Sequence, residues 1–555
     1  MKNTTKNTAA KCLVQTLVTN GTKRAFCVPG ESYLSVLDAL YDVSDQIELI
    51  TCRQEGGAAY MAEASGKLTG EPGICFVTRG PGATNASIGV HTAQQDSTPM
   101  ILFIGQVPRN QLDREAFQEV DYVKMFDPLC KWVAQINNAD RIAEYVTRAF
   151  HIAKSGRPGP VVLSLPVDML IEEIDIPELL PAHTVGADAP TDRWKKLEED
   201  LKIAERPLII LGGTIWDDQA VKNIRVFAEQ NNLPVACAYR YQDLFDNRHP
   251  NYCGDIGIGL DPNLLERINN SDLIINIGAR LGGLTTSGYS LFEVPFPKQK
   301  IVMIHSDADE LGHVYRPYMA INASVKNAAK ALSKISSTQS NNWPNWCPQA
   351  NADYKRWNTP LKSVGDVDLG KVYDHLRENM PENAILTNGA GNYSFWLHRF
   401  MQYRKFKSQL APTSGAMGYG LPAAVAAKAT HRDRPVVCFA GDGCYMMNGQ
   451  ELATAMQYEL PIVILLFNNN MYGTIRAHQE RNFAHRVSGT DLINPDFTAL
   501  AIAYGANGVK VSKTEEFGPA FDSALKADKA TLIEITIDPQ ALTPAKTLSE
   551  IRDNK

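Results

Sequence analysis

The sequence lacks the features that mark several classes of protein. Its 55 Lys and Arg residues are outnumbered by 61 Asp and Glu, which argues against nucleic acid as the main partner. The ten cysteines include no CxxC pair, so neither a zinc ribbon nor a redox motif is indicated. No apolar run approaches the roughly 20 residues that span a membrane, and the opening MKNTTKNTAAKCL has no apolar secretory core. We therefore expect a cytoplasmic protein with free thiols and with no nucleic-acid or membrane partner.

The composition is that of an ordinary globular chain. Apolar residues make up 44% of the sequence and charged residues 21%. A length of 555 residues predicts two or three domains. Two stretches, Ile176–Asp192 and Ser333–Asp366, are rich in proline and polar residues, and they are predicted linkers. Cutting there gives domains at residues 1–175, 193–335 and 366–545.

Short apolar runs alternate with helical patterns in all three domains. Continuous runs such as IVILLF are typical of strands that are buried on both faces. The alternation predicts the α/β class, with three doubly wound domains built on parallel sheets, which bind ligands at the carboxyl ends of their strands. The predicted strands are Arg24–Val28, Ile47–Thr51, Gly73–Thr78, Met100–Gly105, Val161–Leu165, Pro207–Gly212, Pro234–Ala238, Leu273–Ile277, Ile301–His305, Ala384–Thr387, Pro435–Ala440, Ile462–Phe467 and Ala530–Ile537.

Two polar turns follow neighbouring predicted strands of the third domain. Gly441-Asp442-Gly443 closes one strand and Asn468-Asn469 closes the next. A carboxylate, an amide oxygen and a backbone carbonyl suffice as Mg²⁺ ligands when phosphate oxygens and water complete the octahedron. The glycines allow the backbone to approach such a ligand closely. Each turn alone is common, but the two at this spacing predict a site for a metal and a diphosphate.

An acidic residue in the first domain precedes a helix that begins with small side chains. Glu55 is followed by Gly56-Gly57-Ala58-Ala59, and small residues permit tight packing against another surface. A carboxyl group in such an interface can share a proton with a partner nitrogen. The alternative is that Glu55 only stabilises the start of its helix.

GDG, 24 intervening residues and NN resemble the diphosphate motif of thiamine-diphosphate enzymes, and RQEGGAAYMAEASG is similar to their pyrimidine-domain motif. The resemblance implies that Asp442, Asn469 and the carbonyl of Met471 hold Mg²⁺. It also places Met417, within TSGAMGYGLPAA, where a bulky residue keeps the cofactor bent, although Met417 also fits an ordinary core. The implied cofactor-binding residues are Ala390, Gly391, Asn392, Tyr393, Gly415, Met417, Asp442, Gly443, Cys444, Asn469, Met471, Tyr472 and Gly473.

In these enzymes the glutamate at the position of Glu55 bonds the aminopyrimidine ring of the cofactor. The ring nitrogen then removes a proton from the thiazolium, and the cofactor carries the carbanion chemistry. The resemblance implies that Glu55 and Asp442 serve one cofactor from two different subunits. A homodimer is therefore the expected minimum unit, with a tetramer as the larger alternative.

Further stretches resemble acetolactate synthases, among them FCVPGESYLSVLDAL and GQVPRNQLDREAFQEVD. Those enzymes decarboxylate a 2-oxo acid such as pyruvate and ligate the remaining unit to a second carbonyl. The resemblance places Phe117 and Gln118 beside the reacting centre, with Gln118 hydrogen-bonded to the substrate oxygen or the developing enamine. The other interpretation of Gln118 is a polar surface turn.

Three departures from acetolactate synthases concern substrate choice. Glu31 and Ser32 replace small residues, and Glu31 would either gate proton transfer or face solvent. Val167 replaces a lysine, and His478 replaces an aromatic residue. His478 is a candidate acid/base or an ordinary surface histidine. These changes favour an alternative, a 2-hydroxy ketone lyase or 2-oxo acid decarboxylase of the benzaldehyde lyase or benzoylformate decarboxylase type.

A non-catalytic paralogue that acts as a binding or regulatory subunit is a third interpretation. The presence of Glu55, Asp442 and Asn469 argues against it, since a catalytically inactive homologue does not need all three.

The middle domain leaves the question of a flavin open. Acetolactate synthases bind FAD through a GARFDDR-like turn, and here Gly278-Ala279-Arg280 match while Leu281-Gly282-Gly283 do not. The domain is therefore predicted to hold FAD, another nucleotide such as ADP, or no nucleotide.

Overall fold

The structure, a computed structural model, describes residues 6–335 and 343–553. The chain divides into two compact units that are discontinuous in sequence. The first unit comprises the chain up to Val185 together with Leu421–His431 and Asn448–Tyr458. The second comprises Gly186–Gly420, Arg432–Met447 and the chain from Glu459 onward.

The first unit is built on a six-stranded parallel sheet with the strand order β3-β2-β4-β5-β7-β6, and a separate antiparallel pair joins β1 to β8. Strands β4, β5 and β7 are buried along their whole length, which is why their sequences are continuous apolar runs. The elements are β1 (Lys6–Thr8), α1 (Ala9–Thr19), β2 (Arg24–Cys27), α2 (Leu34–Tyr41), β3 (Glu48–Thr51), α3 (Glu55–Thr69), β4 (Gly73–Val77), α4 (Pro81–Asp96), β5 (Met100–Gln106), α5 (Tyr122–Phe126), β6 (Trp132–Gln135), α6 (Ile142–Lys154), β7 (Pro160–Pro166), α7 (Val167–Leu170) and β8 (Glu173–Asp175).

Local signals set the ends of the two helices that follow β3 and β4. Helix α3 begins where the Gln54 side chain accepts a hydrogen bond from the Gly57 N–H at 2.9 Å. It ends at Gly70, whose φ of 76° is a left-handed conformation that glycine adopts at little cost. Helix α4 begins with Pro81, directly after Gly80 at φ 60°.

The middle sheet lies in the second unit and has the order β11-β10-β9-β12-β13-β14, with all pairs parallel. From β9 the chain adds strands toward one edge of the sheet, and from β12 it adds them toward the other edge. Such folds bind nucleotides at the position between β9 and β12, where the strand order reverses. Its elements are α8 (Thr191–Ile203), β9 (Pro207–Leu211), α9 (Asp218–Gln230), β10 (Val235–Cys237), β11 (Tyr252–Asp255), α10 (Pro262–Asn270), β12 (Leu273–Ile277), β13 (Lys300–His305), β14 (Met319–Asn322), α11 (Val325–Leu332) and α12 (Trp346–Trp357).

Helix α12 interrupts the stretch 333–366 that was predicted to be a linker. Its Tyr354 ring meets the ring of Tyr252 edge-on at 4.8 Å, and the Asn351 side chain donates to the Tyr252 carbonyl at 2.9 Å. The polar composition of this stretch suits a helix with only one buried face. The part 336–342 lies outside the described residues.

The third sheet has the order β16-β15-β17-β18-β20-β19 and is also parallel. Counted along its own strands, this is the same order as in the first sheet. Helix α17 and nearly all of α15 belong to the first compact unit. The elements are α13 (Leu369–Asn379), β15 (Ile385–Asn388), α14 (Tyr393–Phe400), β16 (Gln409–Leu410), α15 (Gly420–Thr430), β17 (Val436–Gly441), α16 (Asp442–Met446), α17 (Glu451–Gln457), β18 (Val463–Asn468), α18 (Gly473–Asn482), α19 (Phe497–Ala503), β19 (Asn507–Val511), α20 (Thr514–Ala524), β20 (Thr531–Thr536) and α21 (Leu548–Asp553).

The predicted fold class is confirmed, because the chain carries three parallel α/β sheets of six strands each. All thirteen predicted strands are present, with ends that differ by at most one residue. The domain boundaries at 1–175, 193–335 and 366–545 stay predictions. Within the described ranges, no helix is both long and apolar enough to cross a membrane.

Candidate active site

The carboxyl ends of β15, β17 and β18 meet at one edge of the third sheet. The strand order reverses between the parallel strands β15 and β17, so the loops that follow these two strands turn to opposite faces of the sheet and leave a crevice between them. Gly441, at the end of β17, pairs with Phe467 of β18. Asp442 and Asn468 therefore follow at neighbouring positions, as the two polar turns predicted.

A cavity of ≈210 Å³ lies at this edge. Twelve of the thirteen residues predicted to bind the cofactor line it, and only Asn469 does not. Sites that enclose a whole drug-sized ligand are about 300–1,000 Å³, so this cavity suits one end of a cofactor. The lining residues are Ala390, Gly391, Asn392, Tyr393, Gly415, Met417, Gly441, Asp442, Gly443, Cys444, Met471, Tyr472, Gly473, Thr474 and Ile475.

Asp442 is the only acidic side chain that lines this cavity, and it is 3% exposed. The Gly443 N–H donates to its Oδ1 at 2.9 Å, and the Asn494 amide donates to its Oδ2 at 2.8 Å. Burial raises the pKa of Asp442, and these hydrogen bonds oppose that rise. No basic side chain of the described ranges forms an ion pair with it. Such a buried carboxylate with neutral partners is suited to a cation.

Asn469 and Met471, the other two predicted metal ligands, lie close to Asp442 in sequence and fold. The Asn469 Oδ1 accepts a hydrogen bond from the Met471 N–H at 3.3 Å, and Asn469 is 4% exposed. No group of three or more His, Cys, Asp and Glu residues in the described chain is placed to hold a metal. The predicted Mg²⁺ site has one carboxylate, one amide oxygen and one backbone carbonyl, so it does not need a group of three such residues.

Asn494 is a residue at this site that the sequence predictions missed. Its side-chain nitrogen lies 2.8 Å from Asp442 Oδ2, 3.0 Å from Asn468 Oδ1 and 3.1 Å from Asn470 Oδ1. It therefore links the two polar turns directly. Its signal in the sequence is the Asn494-Pro495 pair, a dipeptide typical of turns.

Two glycines leave space that a side chain would fill. A Cβ on Gly443 would lie 2.5 Å from the Tyr472 ring, and one on Gly473 would lie 2.4 Å from Asn392 Oδ1. Both positions line the cavity, so a larger residue at either would push the wall inward or displace its neighbour.

A buried tyrosine holds the loop that follows β15. The Tyr393 hydroxyl accepts a hydrogen bond from the Gly389 N–H at 3.0 Å and lies 3.5 Å from the Cys444 sulfur. Burial raises the pKa of Tyr393 well above its usual value, so the hydroxyl stays neutral. The Cys444 sulfur in turn accepts from the Gly418 N–H at 3.2 Å. Three cavity-lining segments are thus joined by polar contacts.

The first unit gathers a second set of predicted residues around the start of α4. Glu55 is the first residue of α3, and the Asn85 side chain donates to its Oε2 at 2.9 Å. A Cβ on Gly82 would lie 3.4 Å from Glu55 Oε1, and one on Gly80 would lie 2.8 Å from the Gln118 side chain. Glu55 and Gln118 therefore both border the first turn of α4.

Arg79, which the sequence predictions missed, connects two loops at this place. Its Nη2 donates to Glu31 Oε1 at 2.6 Å, and its Nε donates to the Phe117 carbonyl at 3.3 Å. The guanidinium lies 6.0 Å from the Phe117 ring, which is 73% exposed. Gln118 has a φ of 64°, a conformation that costs energy for a residue other than glycine.

The helix that begins with Glu55 is held by a carboxylate from far along the chain. Glu451 is fully buried and accepts hydrogen bonds from the Arg53 and Gln54 N–H groups at 3.1 and 3.0 Å. Burial raises the pKa of Glu451, and hydrogen bonds from Thr454 and these two amides oppose the rise. Glu451 belongs to the first unit, and no motif in the sequence linked it to Glu55.

His478 lies on an exposed face of α18. Its Nδ1 is 3.3 Å from Nη1 of Arg481, and it does not line the cavity. The role of His478 as an acid or base stays a prediction, as do the catalytic roles of Glu31, Glu55, Phe117 and Gln118.

Comparison with known families agrees with this organisation. Three family models of thiamine pyrophosphate enzymes match: the N-terminal TPP binding domain at residues 7–125, the central domain at 195–332 and the C-terminal TPP binding domain at 389–535. The three matches lie on the first, middle and third sheets respectively.

Curated relatives match over nearly their whole length. A probable acetolactate synthase large subunit of Methanocaldococcus jannaschii is 32% identical over 96% of this chain and 93% of its own. The acetolactate synthase isozyme 2 large subunit of Escherichia coli is 29% identical over 95% of each chain. The acetolactate synthase large subunit of Corynebacterium glutamicum is 30% identical over 96% of this chain and 87% of its own. The chain therefore belongs to the thiamine pyrophosphate enzymes and is an enzyme that depends on thiamine diphosphate.

Proposed function

We propose that the chain is a Mg²⁺-dependent carboligase of the acetolactate synthase type. It would decarboxylate a 2-oxo acid such as pyruvate and join the remaining two-carbon unit to a second carbonyl. The observation that carries the proposal is the cavity at the ends of β15, β17 and β18, with buried Asp442 in its wall. The similarity to acetolactate synthase large subunits supports the reaction class.

The residues of the cavity fit the diphosphate end of the cofactor with its metal. Asp442 has only neutral donors around it, and Gly443 and Gly473 leave room for a ligand against the backbone. Asp442, Asn469 and the Met471 carbonyl would hold Mg²⁺, and the Mg²⁺ would neutralise the phosphate charge. When bound, the cofactor supplies the carbon nucleophile and the electron sink for decarboxylation.

The residues around the start of α4 would serve the other end of the cofactor and the substrate. Glu55 would hold a proton at the aminopyrimidine, with its carboxylate oriented by the Asn85 amide. Gln118 would donate a hydrogen bond to a substrate oxygen, and Phe117 would exclude water from the reacting carbonyl. By resemblance, Glu55 and Asp442 act together from two subunits, so a homodimer or a tetramer of such dimers is the proposed active form.

A lyase or decarboxylase that releases its product without ligation is a second candidate function. The observation that favours it is the ion pair of Glu31 with Arg79, which places two charges beside the exposed Phe117. A charged rim of this kind would change which donor or acceptor fits beside Phe117. His478 adds a further titratable group on α18 but lies outside the cavity.

Binding of the cofactor tests the shared part of both candidates. Thiamine diphosphate should bind by calorimetry only when Mg²⁺ is present, and Asp442→Ala should abolish that binding. Asp522→Ala is a matched control, because Asp522 is partly exposed on α20 and pairs with His375 away from the cavity. Tight binding by Asp442→Ala would overturn the assignment of the metal site.

A product screen separates the two candidates. Pyruvate, benzoylformate, glyoxylate and several aldehydes would be supplied singly and in pairs, with CO₂ and coupled product both measured. We expect one CO₂ and one acetolactate for every two pyruvates consumed. Release of CO₂ with an aldehyde as the final product would favour the decarboxylase instead.

FAD in the middle domain is also a proposal. The strand order around β9 and β12 is that of dinucleotide-binding folds, and Gly212-Gly213 and Gly278 follow these two strands. Flavin absorbance in the purified protein would support FAD, and a colourless protein that binds ADP would favour another nucleotide.

A further inference from the structure

A buried arginine of the middle domain contacts the loops that line the cavity. Arg240 follows β10, is 2% exposed and has a φ of 64°. Its Nη2 donates to the Gly389 carbonyl at 3.0 Å, and its Nη1 donates to the Pro412 carbonyl. Gly389 precedes the cavity residues Ala390–Tyr393, and Pro412 precedes Gly415 and Met417. One guanidinium therefore joins two separate parts of the cavity wall.

The environment of Arg240 is unusual for a charged group. A buried cation is costly unless an anion compensates it. No carboxylate in the described part of the chain forms an ion pair with Arg240, and its Nε has no hydrogen-bond partner there. Its guanidinium carbon also lies 5.0 Å from the centroid of the Tyr239 ring. The chain keeps a positive charge here without supplying the negative charge that would balance it.

The geometry of the peptide that Arg240 contacts shows what the contact does. The peptide between Gly389 and Ala390 is trans, so its N–H points opposite to its carbonyl. Because the carbonyl points to Arg240, the Ala390 N–H points away from the middle domain's arginine. Within the described residues, neither the Ala390 nor the Gly391 N–H has a hydrogen-bond partner. Both residues line the cavity, so both amides are available to an anionic ligand.

Further hydrogen bonds fix the segment that carries Arg240 against the third sheet. The Gln242 N–H donates to the Gln409 side chain at 2.8 Å. Asp243 Oδ2 accepts from the Ser408 N–H at 3.0 Å. All four of these residues are buried. The guanidinium is therefore held in place by its own segment and does not depend on a bound ligand for its position.

We propose that Arg240 is a positioning residue for the diphosphate of the cofactor, acting from the middle domain through the carbonyls of Gly389 and Pro412. It orients the Ala390 and Gly391 amides toward the phosphates and adds a buried positive charge behind them. The proposal rests on the proposed function, because it takes the cavity to be the diphosphate site. It adds to that function a residue outside the third domain.

The test is direct binding of thiamine diphosphate, and separately of inorganic pyrophosphate, in the presence of Mg²⁺. We expect Arg240→Met to weaken both ligands roughly 10–100-fold, a loss typical of outer-shell partners. Arg240→Lys keeps the charge and one donor, so it should fall between Arg240→Met and the wild type. The KM for the cofactor should rise in the variants, while kcat at saturating cofactor changes little.

Arg248→Met is the matched control. Arg248 lies in the same region of the middle domain and pairs with Asp246 and Glu382, but it is partly exposed and contacts no cavity loop. It should bind cofactor and pyrophosphate as the wild type does. If Arg240→Met does not fold, as judged by its thermal transition, Arg240→Lys carries the test alone.

The possible failures are distinguishable. A wild-type protein that binds no thiamine diphosphate would overturn the proposed function and this inference together. Normal wild-type binding with an unchanged affinity in Arg240→Met, or in Arg240→Lys where that variant stands alone, would overturn the inference only. An equal loss in Arg248→Met would show a general effect of the middle domain and would also overturn it.

Discussion

The C-terminal helix α21 is held to α18 by a buried carboxylate. Glu480 is 1% exposed and accepts hydrogen bonds from Arg552 Nε and Nη2, both at 2.8 Å, and from Arg476 Nε at 3.1 Å. The His485 N–H donates a further bond at 3.2 Å. The Glu480→Gln substitution keeps the shape of the side chain and removes its charge. We expect α21 to detach more readily in this variant.

The magnitude follows from the pKa of Glu480. The Arg552 contact, followed by the other hydrogen bonds, lowers this pKa from 4.5 to about 2. Each unit of difference between folded and unfolded states corresponds to about 1.4 kcal/mol, so the ionised form contributes up to ~3 kcal/mol. Arg476 and Arg552 are 14% and 23% exposed, which reduces the figure to about 2–3 kcal/mol. The contribution is complete above pH 4.5 and is lost as pH falls from 4.5 toward 2.

Amide hydrogen exchange of Leu548–Asp553, followed by mass spectrometry, measures this directly. At pH 7 we expect exchange in Glu480→Gln to be roughly 30–150-fold faster than in the wild type, the rate ratio that 2–3 kcal/mol corresponds to. In denaturant unfolding, the difference in free energy of unfolding between wild type and Glu480→Gln should fall to about half or less of its pH 7 value by pH 3. The exposed Arg141–Glu144 pair offers a control, and Glu144→Gln should leave exchange unchanged.

Equal exchange of α21 in Glu480→Gln and wild type would refute the reasoning. A stability difference that is the same at pH 7 and pH 3 would refute its electrostatic part.

Two further predictions concern the cavity and the middle domain. Gly443→Ala should leave folding intact and weaken thiamine diphosphate binding roughly tenfold or more, because its Cβ would displace the Tyr472 ring. Gly186→Ala is the control and should bind normally, because its Cβ would meet only ordinary contacts, the nearest at 3.4 Å. Unchanged binding in Gly443→Ala would contradict the role of Gly443 in leaving room for the ligand. Burial raises the pKa of Asp255 to about 7, so the wild type should lose stability as pH rises from about 4 to 7. Asp255→Asn keeps the acceptor for the Gln242 amide and should therefore be more stable than the wild type, by up to ~4 kcal/mol at pH 8 and by roughly 1.5 kcal/mol at pH 5, where only part of the wild type's loss has occurred. A stability difference that is absent, or the same, at both pH values would contradict the raised pKa.

The sequence predicted the central strands of each sheet well and the edge strands poorly. Every strand with a continuous apolar run was found, because burial on both faces dictates such a run. The edge strands β6, β11, β14 and β19 were missed, since β6 is only half-buried and β14 alternates buried and exposed residues. Strand β16 has two residues, too few for any pattern. Edge strands pair on one side only, so their sequences are less constrained.

The candidate site shows the same division between local and distant signals. Asp442, Gly443 and the Asn468-Asn469 turn are contiguous with strand patterns, so their spacing predicted their meeting. Glu451 could not be found in this way, because it contacts residues about 400 positions earlier in the chain. Arg240 was missed for a similar reason. It contacts the cavity wall from another domain, and its hydrogen-bond partners there are backbone carbonyls. Every residue has a backbone carbonyl, so such a contact does not require a particular partner residue in the sequence.

The discontinuity of the first compact unit has a consequence for synthesis on the ribosome. The helix that begins with Glu55 receives its buried partner from Glu451, 397 residues after the Gln54 amide that it caps. At about 5–20 residues per second, that partner emerges roughly 20–80 s later. During this time the nascent first domain has unsatisfied amides at Arg53 and Gln54 and an uncovered patch where α15 and α17 will pack. A chain interrupted before Tyr458 therefore cannot complete its own N-terminal domain. That domain is fully assembled only after the segment that ends at Tyr458 has been synthesised.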